Sequence, residues 1–129
     1  MTTLIRNATV VSMNGRREIF EGADILVEAG RIAKIGLVEP SEIPAGAEIV
    51  DASGRIVLPG FVDAHVHTSQ QLGRGIADDV DLLTWLRGRI WPFESHLTPD
   101  DQHLSTLALG VEMIRSGVTA FSEAGGQHV

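Results

Sequence analysis

The sequence contains no cysteine, and this absence excludes both a disulfide framework and a metal site built on thiolates. It also lacks a run of about 18 or more apolar residues, so a membrane-spanning helix is not expected. At the amino terminus the basic residues follow the apolar stretch, and no small-residue cleavage site is present, which argues against a secretory signal. Together these absences favour a cytoplasmic setting.

Positive charge is also sparse. Ten lysines and arginines stand against seventeen aspartates and glutamates, for a formal net charge of −7. The basic residues are scattered and do not form the patch that is typical of nucleic-acid-binding proteins. We therefore expect neither a nucleic acid nor a membrane as a partner. Hydrophobic residues make up 43% of the chain, and low-complexity segments are missing, as in a folded globular protein.

The first third of the chain is predicted to form short strands. β-branched residues dominate residues 3–13, with a break at Asn7. Two alternating apolar runs meet at residues 28–30, which predicts a hairpin because the glycine there accepts a positive φ. Residues 39–48 hold two of the five prolines and are predicted to be a loop. A further strand and a short apolar run are predicted on either side of Gly54.

Longer segments with helical period follow the predicted strand FVDAHVH. Apolar residues at helical spacing predict a helix over residues 81–91, which Pro92 should end. A second helix is predicted from Thr98, its N-cap, to Gly117, its stop. Its predicted apolar stripe consists of Leu104, Leu107, Ala108, Val111 and Ile114.

A last predicted strand, VTAFSE, completes the order strand, helices, strand. This order is typical of the parallel βαβ unit. One such unit cannot close an eight-stranded barrel, which takes about 250 residues. We therefore interpret the chain as the beginning of a larger fold, a fragment whose isolated form would expose apolar surface.

The strand at residues 61–67 carries the clearest chemical pattern. Because side chains alternate along a strand, Asp63, His65 and His67 project to the same side. Two imidazoles at this spacing can bind one divalent cation beyond the end of the strand. The alternative is a pair of hydrogen-bonded histidines at a strand end. The glycine-containing loop that follows favours a site, because α/β barrels keep their active sites at that end of the strands.

Residues 58–101, LPGFVDAHVHTSQQLGRGIADDVDLLTWLRGRIWPFESHLTPDD, closely resemble the first barrel strand, loop and helix of the amidohydrolase superfamily. Within it, the chain is most similar to the methylthioadenosine/S-adenosylhomocysteine deaminases and the triazine chlorohydrolases. Upstream, LIRNATVVSM, DILVEAGRIAKIG and EIVDASGRIVLPG resemble the strands of the β-sandwich of these enzymes. The resemblance implies an α/β fold in which residues 1–55 are part of a small β-sandwich. Residues 56–129 would then start a TIM-type (β/α)8 barrel.

The resemblance also implies site residues. His65 and His67 fall on the metal-binding H-x-H, for one divalent ion, zinc or else iron. Glu94 falls on a glutamate that holds the sugar hydroxyls of a nucleoside, with a solvated helix-end carboxylate as the alternative. Trp85 matches an aromatic of the substrate pocket, or is simply core. Gln70 departs from the adenosine-deaminase pattern and resembles a base-contacting glutamine of guanine deaminases.

Other polar residues receive lesser roles. Asp63 is expected to support the histidines, and His128 to be at most a pocket residue. His96 and His103 are predicted to lie on the surface. Glu123, at the end of the last strand, is interpreted as a solvated carboxylate, with a position near the site as the alternative.

The implied reaction is the hydrolytic deamination of an aminopurine nucleoside, a small-molecule substrate. The remaining metal ligands and proton-transferring groups come from later strands in this superfamily, so no catalytic residue is expected within the chain, and the isolated chain should be inactive. Two alternatives stay open: guanine or a chlorotriazine as substrate on the same scaffold, and a non-catalytic truncated module. Whether the full-length protein forms a homo-oligomer also stays open.

Overall fold

Two separate units make up the chain in the computed structural model, which describes residues 1–125. The first unit is Met1–Pro59, and the second begins at Gly60. The boundary between residues 55 and 56 stays a prediction. Among the described residues, no helix is long and apolar enough to cross a membrane.

The first unit is a sheet of five strands. These are β1 (Thr2–Val11), β2 (Ile19–Glu28), β3 (Arg31–Gly36), β4 (Glu48–Asp51) and β5 (Ile56–Val57), with a 3-10 turn at Pro40–Glu42. The order in the sheet is β3-β2-β1-β4, and β5 also pairs with β1. The β1–β2 and β2–β3 pairs are antiparallel, whereas β4 and β5 run parallel to β1.

A bulge at Asn7 lets β1 bury residues on both faces of this sheet. Asn7 has a φ of 60°, and the pairing with β2 shifts register on either side of it. Leu4 therefore packs with Leu26 on one face, while Ala8 joins the cluster of Ile25 on the other. The predicted break at Asn7 is thus an irregularity within one continuous strand.

The predicted hairpin is confirmed between β2 and β3. Glu28 pairs with Arg31, so Ala29 and Gly30 form a two-residue loop, with φ values of 49° and 75°. Positive φ at both central positions defines the type I′ turn, whose twist matches that of the strands.

The second unit joins two parallel strands through helices. It contains β6 (Phe61–Val66), a 3-10 helix (Thr68–Gly73), α1 (Leu82–Trp85), a π-helical turn (Leu86–Ile90), α2 (Trp91–Glu94), α3 (Pro99–Arg115) and β7 (Val118–Glu123). β6 and β7 pair in parallel. The predicted order of strand, helices and strand is confirmed, and the fold is mixed α/β.

The prediction that Pro92 ends the first helix is wrong. Helical backbone continues to Glu94 because the turn just before Pro92 is π-helical, with the N–H of Trp91 donating to the C=O of Leu86. A proline in a regular helix clashes with the carbonyl four residues earlier, here that of Gly88. The wider turn relieves this clash, and the Gly88 carbonyl instead accepts from the Arg89 side chain at 3.4 Å.

Helix α3 begins and ends where the sequence predicts. Thr98 and Asp101 form a reciprocal capping box, and Gly117, at φ 80°, follows the helix. The predicted apolar stripe is not the face that α3 buries, because the buried residues of α3 are Ser105, Leu109 and Met113.

The leucine-rich face of α3 is exposed instead, from Leu104, 58% exposed, to Ile114, 78% exposed. Apolar residues line two sides of α3, and periodicity alone does not say which side the described residues cover. Exposed apolar surface in this chain was expected, and the expectation is confirmed for the described residues.

Candidate metal and substrate site

The carboxyl ends of β6 and β7 meet at one edge of their two-stranded sheet. Val66 pairs with Glu123, and the N–H of Ala124 donates to the C=O of Val66 at 2.9 Å. Since parallel strands end at the same edge, His67 and the Glu123 side chain both belong to it. Ligand sites of open parallel sheets lie outside such strand ends.

The two histidines lie side by side. The ring centroids of His65 and His67 are 5.2 Å apart, and the ring planes meet at 76°. An imidazole nitrogen lies about 2.0–2.1 Å from a bound zinc ion, so two rings on one tetrahedral zinc have centroids roughly 5 Å apart. The Nδ1 atom of His67 is buried and has no hydrogen-bond partner among the described residues. Both observations fit a shared divalent cation.

Asp63 supports this pair through the backbone. Its carboxylate accepts a hydrogen bond from the N–H of His65 at 3.2 Å. Within residues 1–125, no group of three or more histidine, cysteine, aspartate or glutamate side chains is placed to hold a metal ion. A catalytic zinc ion normally takes three protein ligands. The described residues therefore offer two imidazoles as candidate ligands, and a catalytic zinc site needs at least one more.

Glu123 binds the turn after His67, so the alternative that Glu123 lies near the site is correct and the interpretation of it as a merely solvated carboxylate is wrong. Its Oε2 accepts from the N–H of Thr68 at 2.8 Å, and its Oε1 from the N–H of Gly125 at 3.2 Å. Burial acts to raise the pKa of Glu123, but these hydrogen bonds and the nearby His67 outweigh it, so the pKa falls below its ordinary value. A half-buried anion thus lies beside the histidine pair.

Two of the predicted substrate residues are in direct contact. The amide Nε2 of Gln70 donates to Oε1 of Glu94 at 2.7 Å, although the residues are 24 positions apart. Gln70 and Trp85 also line the same open pocket, with a volume of about 280 Å³. The turn after β6 and the segment from α1 to α2 therefore bring all three predicted residues into one neighbourhood.

A close fit at Gly73 holds this neighbourhood together. A Cβ atom at Gly73 would lie 2.8 Å from Cε1 of Phe93, which is closer than van der Waals contact. Phe93 immediately precedes Glu94 on α2. The absence of a side chain at Gly73 thus lets α2 approach the turn that carries Gln70.

Comparison with protein-family models matches residues 56–129, more than half of the chain, to the amidohydrolase family. The chain belongs to this family. The resemblance to a family of enzymes, expected from the sequence, is confirmed.

Individual amidohydrolases agree with this assignment. The chain is 43% identical over 118 residues to the 5-methylthioadenosine/S-adenosylhomocysteine deaminase of Symbiobacterium thermophilum, covering 92% of the chain and 27% of that relative. The solved structure of an adenosine deaminase from Xanthomonas campestris, with bound zinc, superposes with a TM-score of 0.83 at 29% sequence identity. The match covers 97% of the present chain and 29% of the deaminase chain.

A zinc-complexed atrazine chlorohydrolase from Arthrobacter aurescens superposes with a TM-score of 0.80 at 27% sequence identity. The match covers 94% of the present chain and 28% of the chlorohydrolase chain. This amidohydrolase chain thus spans little more than a quarter of the length of these proteins.

Sequence reasoning missed the residues that shape the turn after His67 in this amidohydrolase. Ser105 is fully buried on α3, and its hydroxyl contacts that turn. The sequence does contain one signal for it: Ser105, Leu109 and Met113 are spaced four residues apart and so lie on one side of the helix, where a serine needs a hydrogen-bond partner. His96 and His103 are exposed, as predicted, whereas His128 lies outside the described residues.

Proposed function

We propose that the chain is the amino-terminal part of a metal-dependent amidohydrolase that deaminates an aminopurine nucleoside of the S-adenosylhomocysteine or methylthioadenosine type. The observation that carries the proposal is the histidine pair, His65 and His67, with ring centroids 5.2 Å apart at the carboxyl end of β6. The relative that is 43% identical bears the name of this activity.

In this proposal, the second unit starts a TIM-type (β/α)8 barrel, and the first provides strands of a β-sandwich. Exposed apolar residues support the barrel. Phe61 and Val62 point to opposite faces of β6 and are 54% and 70% exposed. Barrel strands are covered on both faces, by the interior and by the outer helices, so both side chains would become buried.

His65 and His67 would hold one divalent metal ion, zinc or else iron. Such an ion would lower the pKa of a bound water molecule enough for it to react as hydroxide near neutral pH. The imidazole rings would position the ion, and Asp63 fixes the backbone of His65 by accepting a hydrogen bond from its N–H. Zinc is favoured because zinc is bound in the solved structures from Xanthomonas and Arthrobacter.

Substrate contacts are assigned to Glu94, Gln70 and Trp85. The Oε2 atom of Glu94 can accept from a sugar hydroxyl, while Oε1 is held by Gln70. Trp85 offers an aromatic face to the heterocycle at the pocket wall. We propose a small-molecule substrate, a cytoplasmic setting and no nucleic-acid or membrane partner. A homo-oligomer of the full-length protein is included in the proposal.

The test is ammonia release by the purified, zinc-loaded full-length protein. S-adenosylhomocysteine, methylthioadenosine, adenosine and guanine are offered separately, and His67→Ala is the matched inactive variant. We expect release from the nucleosides and not from guanine, with loss of both bound zinc and activity in His67→Ala. Absence of release from every nucleoside would refute the proposal.

A chlorotriazine is the second candidate substrate. The similarity to the Arthrobacter chlorohydrolase favours it, as does Gln70, which departs from the adenosine-deaminase pattern. Chloride release from atrazine by the same preparation, without ammonia release from nucleosides, would establish it.

A further inference from the structure

The turn that follows His67 begins with two buried residues. Thr68 and Ser69 are 3% and 6% exposed. The backbone polar groups of a buried turn need partners from the protein, because an unpaired buried group is costly. Side chains from α3 and β7, together with Gln71 of the turn itself, provide these partners.

Ser105 binds this turn at two points. Its hydroxyl donates to the C=O of Thr68 at 2.8 Å and accepts from the N–H of Gln71 at 3.0 Å. A serine hydroxyl can donate and accept at once, and Ser105 is fully buried, so water cannot replace it. This single side chain therefore closes the turn between Thr68 and Gln71.

Gln71 extends the hold to His67. Its Nε2 donates to the C=O of His67 at 3.0 Å, and its Oε1 accepts from Nε of Arg74 at 2.8 Å. Arg74 also pairs with Glu112 of α3, with 2.7 Å between Nη2 and Oε2. The arginine fixes which way the Gln71 amide points, so that its nitrogen faces His67.

We propose that Ser105 is a positioning residue for the metal site. By fixing Thr68 and Gln71, it fixes the backbone that directs the imidazole of His67 toward His65. Replacing the hydroxyl would remove one hydrogen-bond partner from the buried C=O of Thr68 and one from the half-buried N–H of Gln71, and the turn would be held less firmly against α3. The inference rests on the proposed function, because it takes His67 as a metal ligand.

The experiment measures zinc affinity of the purified full-length protein by competition with a chromogenic chelator. Ser105→Ala is compared with Ser116→Ala, which removes an exposed serine just after α3. We expect Ser105→Ala to weaken zinc binding by about 10- to 100-fold, the usual effect of losing support behind a metal ligand. Ser116→Ala should bind as the wild type does.

Amide hydrogen exchange of the metal-free protein provides a second readout. The N–H of Gln71 should exchange faster in Ser105→Ala, because it loses the Ser105 hydroxyl as an acceptor, while the amides of α3 keep their protection. Ser105→Cys, which retains a weak donor and acceptor, should give an intermediate zinc affinity. Gln71→Leu leaves Ser105 in place and should also weaken zinc binding.

Each outcome separates this inference from the proposed function. If the wild type binds zinc and His67→Ala does not, but folded Ser105→Ala binds zinc with unchanged affinity, Ser105 is structural only and the inference is wrong. If Ser105→Ala does not fold, unchanged zinc affinity in both Ser105→Cys and Gln71→Leu overturns it equally. If the wild type does not bind zinc through His67, the proposed function fails, and the inference with it.

Discussion

The contact between Gln70 and Glu94 leads to a quantitative prediction. Gln70→Leu removes the amide that donates to Oε1 of Glu94 at 2.7 Å and keeps a side chain of similar size. A hydrogen bond to a charged group contributes about 1.5–3 kcal/mol, and partial exposure places this one near the lower end. Since about 1.4 kcal/mol is a factor of ten, we expect kcat/KM for S-adenosylhomocysteine to fall roughly tenfold, mainly through KM.

A double-mutant cycle decides whether Gln70 acts through Glu94. If it does, Gln70→Leu should lower kcat/KM in the wild-type background and have little effect in the Glu94→Ala background. The matched control is Gln102→Leu on α3, where the amide oxygen is buried without a hydrogen-bond partner among the described residues. Equal losses from Gln70→Leu in both backgrounds would refute a role through Glu94, because Gln70 would then act only through its own contact with the substrate.

Two further variants test the packing and capping of the second unit. Gly73→Ala should lower the free energy of unfolding of the full-length protein by about 1–3 kcal/mol, because the new methyl group overlaps Phe93. Gly88→Ala, whose nearest neighbour would lie at 4.0 Å, should not be destabilising, and equal losses would contradict this account. Thr98→Ala should cost about 1 kcal/mol at neutral pH through the lost N-cap. Hydrogen bonds from Thr98 lower the pKa of Asp101. These bonds therefore stabilise the fold fully at pH values above the ordinary aspartate pKa, and their contribution is lost as the pH falls through the lowered pKa of Asp101. In an NMR titration, the Asp101 pKa should return toward its ordinary value in Thr98→Ala, and an unchanged pKa would refute the capping role.

Local signals predicted much of the fold. The hairpin at Ala29 and Gly30 follows from turn chemistry that acts within a few residues. The limits of α3 likewise follow from Thr98 and Gly117, which act on neighbouring backbone groups. The helix through Pro92 could not be predicted, because the π-helical turn that tolerates the proline leaves no recognisable pattern in the sequence.

For the candidate site, the sequence identified single residues but not their contacts. The alternation along β6 predicted that His65 and His67 share a side. The bond from Gln70 to Glu94 spans 24 residues and depends on how the turn packs against α2. Ser105 was missed because a serine among leucines resembles an ordinary helix residue until the tertiary structure supplies its partners.

The π-helical turn before Pro92 also sets the rotational phase of α2. In a regular helix, nine residues separate two side chains by about 180° around the axis, which would put Trp85 and Glu94 on opposite sides. One π turn absorbs a residue, so the separation shrinks to roughly 80°. The extra residue of the π turn thus rotates α2 about the helix axis, so that Glu94 lies closer to the side of Trp85. Deleting one residue between 86 and 90 should therefore restore regular helical geometry and keep Glu94 on the side of Trp85, because eight residues of a regular helix also separate two side chains by about 80°.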